Sequence, residues 1–84
     1  MDLEALSNRV ETREQLAQFV STLREDLLAR PSLWPNDDLE SFLEAMSGWI
    51  GDMDGYFRNE GEPLEEVPTW KTLARILVAA RVYE

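Results

Sequence analysis

The chain has 84 residues, 17 acids against 8 bases, a net charge of −9, and neither cysteine nor histidine. One small domain with one core is all this length allows, and it would bury only about 60–65% of its unfolded surface. The composition excludes disulfides, thiolate chemistry, the commonest general base and the commonest transition-metal ligand.

The first ten residues, MDLEALSNRV, place Leu3, Leu6 and Val10 at helical spacing, which predicts a short helix or turn. No basic region leads into an apolar run, so no signal peptide is expected. Thr12 opens the first long helix, since Thr-Arg-Glu-Gln is a capping-box pattern. Leu16, Phe19, Val20, Leu23 and Leu27 then form one stripe, and Pro31 ends the helix, so it should span about residues 13–29. In the connector PSLWPND, Leu33 and Trp34 are expected to plug an end of the core.

Asn36, Asp37 and Asp38 are each acceptable N-caps for the next helix. Its stripe runs Leu39, Phe42, Leu43, Met46, Trp49, Ile50, Met53, Tyr56 and Phe57. At 100° per residue these nine fall within an arc of about 140°. The period passes through Gly51 and Gly55, so the helix is carried over 38–59, with Gly61 just past its end. The prolines of EGEPLEEVP exclude a helix there, and Leu64 and Val67 are expected to pin this acidic connector to the core. Thr69 caps a last, very apolar helix over 70–82, which should be central and touch both others. No run alternates with period two, so the fold class is all-α, a single-domain bundle of three main helices with a short N-terminal one. No apolar run reaches the roughly 18 residues of a membrane span, and the cytoplasm is the expected location.

The stretch WIGDMDGYF, residues 49–57, invites two chemical readings that fail on spacing. With Gly55 at the sixth position of a calcium loop, Ile50 and Gly61 would stand at the first and twelfth, where oxygen ligands are needed. As a catalytic pair, Asp52 and Asp54 point about 200° apart on a helix and cannot act on one atom. No catalytic residue, metal or cofactor is expected, and no enzyme activity. The helical reading puts Trp49, Asp52 and Tyr56 on one flank, Asp54 beside Arg58 on another, and Gly48, Gly51 and Gly55 on the back. The aromatics, with Trp70 of the last helix, are either core or interface anchors.

Charge is the other signal. Residues 37–66 hold ten acids and one base, Arg58, a net of −9, while the rest nets zero. Such a field repels nucleic acid and anionic membranes and attracts basic proteins. The expected function is therefore binding a protein, basic in character, through Trp49, Asp52, Asp54, Tyr56, Glu60, Glu62, Glu65, Glu66 and Trp70. The alternatives are a self-associating structural domain, as a homodimer, or a toxin-neutralising immunity-type protein, the latter by analogy of size and charge alone.

The run W-x-N-x-x-L-E-S-F-L-E-A-M-x-x-W-I-x-D-M-D-G-Y-F (Trp34 to Phe57), then G-E-P-L (Gly61 to Leu64) and P-T-W-K-x-L-A-x-I-L-x-A-A-x-x-Y-E (Pro68 to Glu84), resembles a family of small bacterial helical domains of unknown function. The resemblance implies a compact helical bacterial protein and carries over no activity, cofactor or catalytic residue.

Overall fold

A computed structural model describes residues 2–64 and 67–83. It contains four α-helices, α1 (Leu3–Ser7), α2 (Arg13–Ala29), α3 (Leu39–Asn59) and α4 (Trp70–Ala80), with one 3-10 turn at Pro31–Leu33. Among the described residues there is no strand.

Each helix begins where a side chain satisfies an orphan backbone N–H. The Asp2 carboxylate caps α1 through Ala5, and Thr12 and Gln15 close a reciprocal capping box on α2. Asp38, rather than Asn36 or Asp37, caps α3 by accepting from the Ser41 N–H at 2.8 Å. Thr69 caps α4 through Thr72 at 3.1 Å. At the far end of α3 the chain turns through Gly61 at φ +72°. There the Glu62 N–H donates to the Phe57 carbonyl and the Gly61 N–H to that of Arg58. This paired closure needs a left-handed residue, which is the reason for glycine.

α4 is the centre of the molecule. α1, α2 and α3 all pack on it, and the backbones of α2 and α3 do not approach each other. Small residues make this possible: Ala74 and Ala80 are wholly buried. Ala74 and Val78 join Leu3, Val10, Phe19, Leu23 and Trp34 in one cluster, while Ile76 joins Trp49 and Phe57 in a second. The three main helices therefore form a layer, α2–α4–α3, with α1 against one side. The overall extents are 34 × 27 × 18 Å.

Several expectations about burial are corrected. Trp34 does plug the core, but Leu33 beside it is 56% exposed. Leu64 and Val67 do not pin the acidic connector, being 45% and 79% exposed. α4 ends at Ala80, and Val82 lies outside it, exposed. Only part of the nine-residue arc of α3 is covered: Trp49 and Phe57 are buried, whereas Leu39, Leu43 and Ile50 face solvent.

Candidate functional site

The residues of WIGDMDGYF separate once the helix is placed. Trp49 is buried at 8% exposure and belongs to the core, so it leaves the set of surface candidates. Tyr56, two turns on, remains at the surface, its ring 5.4 Å from that of Trp49 and edge-on to Phe57. Asp52 does not stand free between the two aromatics. It accepts the phenolic hydrogen of Tyr83, and this bond raises the Tyr83 phenol above its ordinary pKa. Asp54 points away and pairs with Arg58 at 3.5 Å on an exposed flank, as the i,i+4 spacing predicts.

The three glycines of the back differ from one another. The Tyr83 ring lies over Gly48, where an added Cβ would come within 3.3 Å of it. Nothing lies within 4 Å of a Cβ built at Gly51 or Gly55. Within the chain, only Gly48 is needed for a close approach.

Arg75 of α4 gathers the remaining candidates. Its guanidinium makes two parallel bonds to the Glu62 carboxylate, each 3.1 Å. It also lies 5.4 Å from the Phe57 ring centre and 5.8 Å from that of Tyr56. Bidentate pairing holds the Glu62 carboxyl below its usual pKa and Arg75 above its own. Arg75 lines two hollows. The larger is a cleft of about 610 Å³ between Phe57, Trp70, Val10 and the Pro63–Leu64 and Pro68–Thr69 segments. The smaller, about 240 Å³, lies between Trp49, Tyr56, the α1 residues Glu4 and Ser7, and Asn8 just past its end. Trp70, expected as core or interface, is 41% exposed on the wall of the larger cleft. Glu60 is exposed nearby in sequence; Glu65 and Glu66 lie outside the described residues.

The structure thus brings together Tyr56, Glu62 and Trp70 around Arg75. It removes Trp49 to the core and directs Asp52 and Asp54 to separate partners. Sequence reasoning missed Arg75, because nothing in a lone arginine on an apolar helix shows which loop it will meet. Lys71, also on the cleft, was missed for the same reason.

The residues that carry the sequence resemblance have structural work. The Trp34 indole N–H donates to Asp26 at 2.8 Å. The Asn36 amide donates to the carbonyls of Ala80 and Tyr83 at 3.0 and 2.9 Å, and its backbone N–H to that of Arg81. Asn36 therefore caps the end of α4 instead of the start of α3. Among the described residues, no group of three or more acids is gathered closely enough to hold a metal ion, and no helix is long and apolar enough to cross a membrane.

No curated protein and no solved structure matches the chain. A family pattern does match, over residues 12–84, from the N-cap of α2 onward; its description is a family of unknown function, DUF7660.

Proposed function

The chain belongs to DUF7660, and for this member we propose a non-catalytic role in binding another protein. The surface is the rim of the Arg75 cleft, with Trp70 and Tyr56 as apolar anchors and Glu60 and Glu62 supplying charge. The observation that carries this reading is Trp70, 41% exposed at the start of a helix whose other residues are buried or half-buried, on the wall of a cleft of about 610 Å³. Leaving a tryptophan in water forgoes its burial, and tryptophan is the residue type most enriched among interface hot spots.

The charge of the 37–66 segment, −9, favours a partner with lysine or arginine at its contact. Such side chains can pack on the exposed parts of Trp70 and Tyr56 while the carboxylates compensate their charge. A non-catalytic role is supported by the engagement of the available carboxylates: Asp52 holds Tyr83, Asp54 faces Arg58, and Glu62 is bound at both oxygens.

The test begins with isolation of the bound protein from cells and titration of the purified pair. Trp70→Ala should weaken binding about tenfold or more while the chain keeps its helical circular dichroism and a cooperative thermal transition. Affinity should also fall as salt is raised to about 0.3 M. Binding that ignores both changes would exclude this surface.

A further inference from the structure

The layered arrangement leaves one broad side of the molecule without a cover. A helical layer with an apolar face is stable when a second layer buries that face. α1 lies against one side only, packed on α2 and α4. On the other side, the gap between α2 and α3 is floored by the half-buried Leu73 and Leu77 of α4. Its banks carry Val20 on α2 and Leu39, Leu43 and Ile50 on α3, exposed by 44%, 73%, 51% and 45%.

The two banks carry opposite charges beyond their apolar strips. On α2, helical phase puts Arg13 and Arg24 within about 40° of Val20. On α3, Asp54 and Glu40 lie within about 60° of Leu43, whereas Glu44, at about 100°, turns toward the hollow of Gly48, Asp52 and Tyr83. All five are exposed. Among the described residues Arg24, Glu40 and Glu44 make no ion pair, while Arg13 and Asp54 make only exposed pairs, with Glu14 and Arg58.

The levels of these charges also correspond. Asp26 bonds Trp34, which stacks on Phe42 at 6.2 Å, so Asp26 of α2 and Phe42 of α3 stand at the same end of the layer. Counting from there at 1.5 Å per residue, Arg24 lies about 3 Å along and Glu40 about 3 Å the other way, within reach of long side chains, and Arg13 and Asp54 about 20 and 18 Å along.

We propose that this open face is closed by the same face of a second copy, with α2 of each chain lying along α3 of the other. A two-fold axis parallel to α4 produces that arrangement and keeps the levels. Arg24 then meets Glu40 of the other chain, and Arg13 meets Asp54, each contact occurring twice by symmetry. The other in-plane two-fold would set α3 against α3 and oppose like charges. A foreign basic helix would satisfy the α3 bank and leave the α2 arginines facing like charge. The two larger extents of the molecule, 34 and 27 Å, describe a face of the same order as the ~800 Å² per partner that a stable interface uses. Trp70, three and seven residues from Leu73 and Leu77, stands at the end of this floor by helical phase, but Arg13, Arg24, Glu40 and Asp54 lie outside the Arg75 cleft, so charge reversals among them test this face separately.

Analytical ultracentrifugation of the full chain between about 1 µM and about 0.5 mM tests this. The mass should rise toward twice the 9.7 kDa of one chain. Leu43→Glu and Ile50→Lys, both at exposed positions, should hold it at one chain with helical circular dichroism unchanged. Arg24→Glu and Glu40→Arg should each weaken association about tenfold, and the double variant should recover to within about threefold of the parent. A single-chain mass throughout, a dimer that survives Leu43→Glu, or charge reversals without effect would each overturn the proposal.

Discussion

Asp26 shows how a single side chain closes this core. Its carboxylate is almost wholly covered, and it accepts the Trp34 indole N–H at 2.8 Å and the Arg30 guanidinium at 3.0 Å. The indole bond first, then Arg30, holds its carboxyl below the ordinary carboxylate pKa. A group whose pKa is lower in the folded state stabilises fully above its unfolded value of about 3.9, and that contribution fades as pH falls through the lowered folded value. Thermal unfolding should therefore show an acid limb below about pH 4 that is shallower in Asp26→Asn. Trp34→Phe keeps the ring but removes the donor, and should cost on the order of 1–3 kcal/mol in urea unfolding at neutral pH. None of this was legible beforehand. Asp26 reads as one more acid on a helix, and its partner lies eight residues away across a proline turn. Asn36 misled for a related reason: an asparagine before a helix has the chemistry of an N-cap, but here its amide is taken by a helix more than forty residues downstream.

The helices themselves were legible almost to the residue, because their ends are written in local chemistry. Thr12, Asp38 and Thr69 bond to backbone N–H groups three residues on, and Gly61 supplies the left-handed turn. The second half of α3 was legible through period alone, which outweighed two glycines. Those glycines still lower helix stability, and at Gly51 a Cβ would meet open space. Gly51→Ala should stabilise the chain by about 0.5–1 kcal/mol in urea unfolding, whereas Gly48→Ala, crowded by Tyr83, should gain less or lose. A stabilised Gly51→Ala chain that still binds its partner would show that the glycine back is no docking surface. What period cannot supply is the neighbour. Nine apolar residues within about 140° define a stripe, but α4 covers only one side of it, and the stripe does not say where cover ends. That is why Trp49 and Ile50, adjacent in the pattern, finish in core and solvent respectively.

For the whole molecule, the charge asymmetry read from composition becomes a physical load. Of the ten acids of the 37–66 segment, the eight among the described residues sit on or beside α3, with Arg58 as the one base. Screening their repulsion should stabilise the fold, so moving from low salt to about 0.3 M sodium chloride should raise the melting temperature. A gain of about 1 kcal/mol would be roughly 4–8 °C in a domain of this size. A fall in melting temperature would mean that attractive pairs such as Arg75–Glu62 outweigh the repulsion. The candidate site was less legible than the charge, because its cleft is assembled from α4, the end of α3, the acidic connector and Val10, and only proximity in space joins them. The placement of α4 has one more consequence, in time. α2 and α3 precede α4 in the chain and, apart from the Trp34 bridge between Asp26 and Phe42, meet through it, so most of each apolar stripe stays uncovered while α4 is still being synthesised. A nascent chain would leave the ribosome with two amphipathic helices and nothing to hold them, and its collapse would wait for Ala74, Ile76 and Val78 to emerge. Three residues buried on the central helix of the finished protein would then set the moment at which it first becomes one.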